Sequence, residues 1–399
     1  MLDSKQIDSL MTDYINRKEI AGAGIIIRKE DEKVFESYYG YADIENGVRA
    51  DENTIYRLAS MTKPIVALAV MMLVDEGKIK LDDLLSEYLP SFSRMRVLQN
   101  DGSFVGYQPN KDNPTAPLFK EDIPSDLNFS PASNQITIKH LLNHSSGLGQ
   151  GPLSTLLVDK YIKKEHSLEE RVQIFSELPL DFEPGTQTGY SALVAYDILG
   201  YVIEKVSGQS LNDFLRDRLF KPLGILNLGY DVSENNHSHL AKLYESNNGT
   251  LTDVSETEKL WTLVNPLRSG YCSGSAGMLG TIEDYDKIAQ LFLNKGVYNG
   301  ARLLSKDSYL SMTSKELNAP LELIPGVIWG LGVIISGQEK ETHKMLSEGT
   351  YGWSGAYGTH FFVDPLKKIS VVLGVNCSNI GGAASPLSLA LEEIVYQYC

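Results

Sequence analysis

Hydrophobic and polar residues follow three rhythms along this chain, and each predicts a different kind of element. At the N-terminus Ile7, Leu10, Met11, Tyr14 and Ile15 recur at helical spacing, which predicts an amphipathic helix over 3–18 with one face in the core. Gly22–Arg28 and Val34–Tyr41 have strand-like composition and flank the charged turn Lys29-Glu30-Asp31-Glu32-Lys33, the pattern of a β-hairpin. A continuous apolar run then extends from Pro64 to Val74 and stops at Asp75-Glu76-Gly77. It is too long for a strand and predicts a buried helix over 60–76, with Gly77 just past its end.

The middle of the chain reads as helical. Leu81–Pro90 is a short turn stopped by proline, and Thr137–Asn143, 168–178, Val194–Ser207 and Ser210–Leu219 carry helical patterns, the third closed by Gly208. Residues 91–135 lack periodicity and are rich in Pro, Asn, Asp and Ser, which predicts a long irregular excursion of the kind that shapes a binding site. From about residue 270 the rhythm changes. A glycine-rich loop, Ser273–Gly280, lacks the strand context of a dinucleotide fingerprint and leads into a helix over Ile282–Asn294. Val327–Ser336, Thr359–Val363 and Ile369–Asn376 read as strands, and Pro386–Tyr398 as a closing amphipathic helix.

Strands near both ends with helices between them predict an α/β (α+β) architecture. One antiparallel sheet is built from the two chain ends and covered on one face by the terminal helices. The expected domains are 1–58 plus 266–399 for the sheet and 59–265 for a mostly helical insert, with an active site between them.

Length and charge narrow the functional classes. The chain has 399 residues, enough for one to three domains, and its net charge of −15 argues against nucleic-acid and anionic-membrane partners. No signal peptide and no apolar stretch of membrane-spanning length is visible, so a cytoplasmic location is expected. Cys272, Cys377 and Cys399 are too few and too scattered for a disulfide framework. His140 and His144 lie four apart but have no third ligand nearby, so a structural role is expected for them. Neither a metal nor a cofactor is expected.

The chemistry lies at the start of the long apolar helix. Ser60-Met61-Thr62-Lys63 puts a hydroxyl and an amine one turn apart at a helix N-terminus, where the dipole stabilises a developing alkoxide. Burial and the same field act against an ammonium, the direction needed for a lysine to accept a proton from serine. By itself the pattern more often marks a helix cap with a solvated lysine. Tyr190, in Gly189-Tyr190-Ser191-Ala192, and the segment Trp353-Ser354-Gly355 before a strand are further candidates, each weak alone.

In this order, the three segments resemble the motifs of the serine β-lactamase and penicillin-binding protein superfamily. The closest likeness is to the class C β-lactamase-like branch that includes the family VIII carboxylesterases. His140-Leu141-Leu142-Asn143-His144-Ser145-Ser146-Gly147-Leu148 and Phe182-Glu183-Pro184-Gly185 add to the likeness, which covers nearly the whole chain. The resemblance implies Ser60 as the acylated nucleophile, with Lys63 and Tyr190 sharing general-base work. It implies an oxyanion hole from the backbone N–H groups of Ser60 and Ala356, on a sheet-edge strand whose Gly355 lets substrate approach the backbone.

Two departures shift the expected substrate. Relatives that cleave β-lactams or peptides commonly carry Asn where this chain has Ala192, and Lys-Thr-Gly where it has Trp353-Ser354-Gly355. Loss of an amide and a cation weakens recognition of acylamide and carboxylate groups, and the Trp-x-Gly form is that of the family VIII esterases. Ala192, Trp353, Ser354 and Gly355 are therefore expected to line the substrate site. The expected activity is a serine carboxylesterase acting through an acyl-enzyme on short-chain carboxylic esters, and the expected partner is a small-molecule ester or amide substrate. A β-lactamase, a D-amino-acid peptidase and an acyltransferase of the same fold are its rivals, and a non-catalytic binding protein is a more distant one.

Overall fold

The computed structural model describes residues 4–99, 107–108, 118–119, 127–230, 238–257, 264, 271–315, 322–324, 326–338 and 343–398. The main sheet has nine strands: Gly22–Lys29 (β1), Glu32–Asp43 (β2), Val48–Arg49 (β3), Glu322–Ile324 (β4), Val327–Trp329 (β5), Ile334–Ser336 (β6), Tyr351–Ser354 (β7), His360–Asp364 (β8) and Ile369–Val375 (β9). Their spatial order is β4-β5-β6-β7-β8-β9-β1-β2-β3, every neighbouring pair antiparallel. The two ends of the chain meet at its centre, where Ala23 pairs with Val375 and Lys29 with Ile369.

Strand alternation divides the core into two layers. Ala23, Ile25 and Ile27 of β1 and Val371, Leu373 and Val375 of β9 face the terminal helices Ser4–Asn16 (α1) and Pro386–Tyr398. There they meet Ile7, Met11, Leu387, Leu391 and Val395. Ile26 and Val372, one residue out of phase, point to the other face and join the larger core. Each fully buried large side chain of this kind contributes roughly 1.5–3 kcal/mol, and because both faces are buried a one-residue slip would send each set into the layer packed for the other.

The larger core is organised on Thr62–Asp75 (α2), in which every residue from Thr62 to Leu73 is buried. A helix that is apolar all round is surrounded on every side, and Val194–Ser207 (α3) packs along it. Gly208 ends α3 in the left-handed conformation, φ 71°. A small three-stranded sheet of Tyr56–Arg57, Leu279–Gly280 and Leu228–Gly229 lies just before the start of α2.

Four expectations change. The segment Val327–Ser336 is not one strand but the hairpin β5–β6, because Gly332, at φ +86°, reverses the chain after Trp329. That hairpin and β4 lie beyond β7, so the strand carrying Trp353 is interior to the sheet and not its edge. Its neighbour β6, however, pairs with it only at Tyr351 and Gly352, and that pairing does not reach Trp353 or Ser354. The helix expected over 60–76 opens with a tight 3-10 turn, Ala59–Met61, and is α-helical only from Thr62. Within 91–135, Arg96–Gln99 and Asn128–Pro131 form an antiparallel pair. Residues 100–106, 109–117 and 120–126 of that excursion, parts of 226–265, and the boundary expected at 265/266 lie outside the described residues. Among the described residues, no helix is long and apolar enough to cross a membrane.

Candidate active site

Ser60 sits in the Ala59–Met61 turn, which is fixed from several sides. Leu58 N–H donates to Met278 O at 3.0 Å, and Leu58 O accepts from Thr359 Oγ1 at 3.1 Å. Tyr285 Oη donates to Met61 O at 3.0 Å, and Ala59 is held in the left-handed region at φ 46°. A non-glycine residue is strained there, and such strain persists only when the surroundings over-determine it.

Lys63 is buried, and its three donors are fully used. Nζ donates to Ala192 O at 2.8 Å, to Ser275 O at 2.9 Å and to Ser60 Oγ at 3.3 Å. Tyr190 approaches the same oxygen from the other side, Oη to Ser60 Oγ at 2.6 Å. One serine hydroxyl thus lies within hydrogen-bond reach of a phenol and an amine, the arrangement that proton removal from a serine nucleophile needs.

The segment after His144 positions Tyr190. Gly189 N–H donates to His144 O at 3.1 Å, and Ser191 N–H to His144 Nδ1 at 3.2 Å. Ser191 Oγ donates to Leu148 O at 3.1 Å and accepts from Ala195 N–H at 3.0 Å, tying the loop to the start of α3. His144 is completely buried. Burial, and then the Lys63 charge, hold its imidazole well below the ordinary range, so it is neutral at pH 7 with its proton on Nε2. Its ring lies 5.1 Å from that of Tyr190 and 4.3 Å from that of Trp329.

On the sheet side, β7 presses against the Ser60 turn. A Cβ on Gly355 would lie 2.1 Å from Thr359 Oγ1, 2.4 Å from Leu58 O and 3.2 Å from Ala59 Cβ, so only glycine allows this approach. The next residues on the two segments, Ala356 and Ser60, carry backbone N–H groups that donate to no acceptor among the described residues. Trp353 is only 7% exposed, and its ring packs 5.2 Å from Tyr190 and 4.6 Å from Trp329. Ala192 contributes its carbonyl to Lys63. The Ser354 side chain does not join this group: its Oγ is 2.8 Å from His360 Nδ1, in a buried cluster with Glu392 and His343 on the C-terminal-helix side of the sheet.

Sequence reasoning missed three contributors. Trp329 was hidden by reading β5–β6 as one strand. Ser275 lies in a glycine-rich loop whose side chains gave no hint that a backbone carbonyl would hold Lys63. Asp197, fully buried on α3, accepts from Ser273 Oγ at 2.8 Å and Ser275 N–H at 3.0 Å and so fixes that loop. Burial pushes its carboxyl up to about 6, against the opposing pull of Ser273, Arg171 and Ser275. Its sequence signal was an acidic residue inside the apolar stretch Val194–Ile203 of that helix. Among the described residues no three His, Cys, Asp or Glu side chains are grouped to hold a metal ion.

A family model described as Beta-lactamase matches residues 7–391. Esterase EstB of Burkholderia gladioli is 28% identical over 417 aligned residues, covering 98% of this chain and 94% of that protein. A putative D-alanyl-D-alanine carboxypeptidase of Escherichia coli (strain K12) is 24% identical over 370 residues, 88% of this chain and 76% of its own. Among solved structures, EstCE1, described as a hydrolase with promiscuous acyltransferase activity, has a TM-score of 0.77 at 24% identity, with 98% of each chain covered. That likeness establishes a shared fold.

Proposed function

The chain belongs to the beta-lactamase family, and from that premise we propose that this serine hydrolase is a carboxylesterase cleaving small, neutral esters through an acyl-enzyme. The observation that carries the reading is the meeting of Tyr190 Oη and Lys63 Nζ on one oxygen, Ser60 Oγ. In this mechanism Ser60 Oγ attacks the ester carbonyl while its proton passes to the Tyr190–Lys63 pair. The tetrahedral oxyanion is received by the N–H groups of Ser60 and Ala356. The proton is returned to the departing alkoxide, the alcohol leaves, and water repeats the sequence on the acyl-enzyme.

Preference for neutral esters rests on Ala192 and Trp353. Neither side chain offers a charge to a carboxylate, Ala192 offers no hydrogen bond to an acylamide, and Trp353, its indole N–H buried, is committed to packing against Tyr190 and Trp329. A charge-assisted hydrogen bond contributes roughly 1.5–3 kcal/mol, so its absence lowers β-lactam efficiency about ten- to a hundredfold. A short neutral ester never used that contact. The esterase named among the relatives supports this reading, and the carboxypeptidase marks its rival.

The test compares short-chain nitrophenyl esters with a chromogenic cephalosporin, using wild type and Ser60→Ala. Ester turnover that exceeds cephalosporin turnover and vanishes in Ser60→Ala is expected. Faster cephalosporin hydrolysis by wild type would restore the β-lactamase reading. Ester turnover surviving within a few-fold in Ser60→Ala would end the mechanism.

A further inference from the structure

Lys63 presents a problem of charge. It is 1% exposed, and its three hydrogen bonds go to two carbonyls and a hydroxyl, none of them an anion. A buried ammonium with neutral partners alone is expensive. A continuous path nevertheless connects it to a carboxylate. Lys63 Nζ donates to Ser275 O at 2.9 Å. The N–H of the same peptide unit, on Ala276, donates to Ser273 Oγ at 3.2 Å. Ser273 Oγ in turn donates to Asp197 Oδ1 at 2.8 Å. Donors and acceptors run in one direction throughout, from cation to anion, so each link polarises the next.

We propose that Asp197 is a positioning residue for the reaction, the anionic end of a hydrogen-bonded chain through Ser273 and the Ser275–Ala276 peptide that holds Lys63 as an ammonium against Ser60. This deepens the esterase reading and rests on it. It assigns the serine proton to Tyr190, with the Lys63 charge favouring the phenolate that takes it. The arrangement is rigid at both ends. Ser275 N–H also donates to Asp197, Ser275 Oγ to Leu193 O, and Tyr230 Oη to Ser273 O. Gly274 lies so close to α3 that an added Cβ would be 2.2 Å from Tyr196 O. The other charged or titratable groups are Arg171, from the helix Leu168–Glu177, and the buried Tyr230 beside Asp197, and Tyr190, Tyr196 and His144 beside Lys63.

Asp197→Asn tests this, because an amide oxygen can still accept from Ser273 and Ser275 while the charge is gone. The readout is the pH profile of kcat/KM on a nitrophenyl ester for wild type, Asp197→Asn, Ser273→Ala and Ser60→Ala. Loss of the anion disfavours the ammonium, so the high-pH limb of Asp197→Asn should move down by roughly half a unit to one unit. Ser273→Ala, which cuts the chain but keeps the charge, should move it in the same direction by less, and it decides the matter alone if Asp197→Asn does not fold. A uniform loss of rate with an unmoved limb, or a profile superimposing on wild type, would overturn the proposal while Ser60→Ala remains inert. Activity persisting in Ser60→Ala would overturn it by removing the esterase reading beneath it.

Discussion

Trp329 lies nearly parallel to Tyr190, the ring centroids 5.7 Å apart and the planes 9° apart. With Trp353 and His144 it forms an aromatic wall that leaves the phenol little room to swing away from Ser60. Trp329→Ala should lower stability by about 3–5 kcal/mol, the usual range for a buried aromatic. In the folded fraction it should reduce kcat by about ten- to a hundredfold with little change in KM, because misplacing a reacting group by an ångström has that effect. Urea melts and steady-state kinetics on the same preparation separate the two effects. Trp329→Phe should recover most of both.

Lys63→Ala and Tyr190→Phe should each reduce kcat by about two to four orders of magnitude, the range for loss of a general base. Because both act on one oxygen, the double variant should be little worse than the poorer single one. Fully additive losses in a double-mutant cycle would mean that the two residues do not share a proton path.

Gly355→Ala places a methyl group where Leu58 O and Thr359 Oγ1 already stand. The strand must retreat from the Ser60 turn, carrying the Ala356 N–H with it. Loss of one oxyanion donor typically lowers kcat about a hundred- to a thousandfold. A Gly355→Ala protein that melts near wild type yet has lost turnover on that scale would tie the glycine to catalysis. Unimpaired turnover would remove Ala356 from the oxyanion hole.

Stability should carry the signature of Asp197. Its carboxyl ordinarily ionises at 3.8 and in the fold at about 6. Between these values the folded protein keeps a proton that the unfolded chain has lost, so this group's contribution is full below the lower value and disappears as pH rises through the upper one. Asp197→Asn, permanently neutral, should therefore be more stable than wild type at pH 7–8 by on the order of 1–3 kcal/mol. The two should melt together near pH 4. His144 acts in the opposite sense, since the unfolded chain takes up a proton below 6.5 that the buried imidazole refuses. That effect is common to both proteins and cancels in the comparison. A variant more stable but slower than wild type is what a functional buried charge predicts.

Much of this was legible where one rhythm or one residue decides the outcome. The apolar run after Lys63, the capping glycines at 77 and 208, and the β-rich composition of β1 and β9 are signals of that kind. Ser60, Lys63 and Tyr190 were legible because their order matches a known set of motifs. Trp329 was not, because a hairpin turn inside a β-rich stretch is set by backbone dihedrals at Gly332 that hydrophobicity does not register. Ser354 was assigned to the substrate side by its motif, yet strand alternation sends its side chain away from Trp353 to meet His360. The Lys63–Ser275 contact was not legible either. It is made by a backbone carbonyl, which every residue possesses, 212 positions away in the chain.

The pairing of β1 with β9 has a consequence for synthesis. Residues 22–29 leave the ribosome well before 369–375 and must wait for them before their outer hydrogen bonds are satisfied. The Ser60 turn waits likewise for Thr359, whose hydroxyl holds Leu58. A nascent chain therefore carries an open, Ile-rich strand edge until β9 has been made, the kind of surface that seeks wrong partners. Contacts of such long sequence separation also make refolding slow. Truncation before residue 369 should leave not a weakened enzyme but an aggregating one.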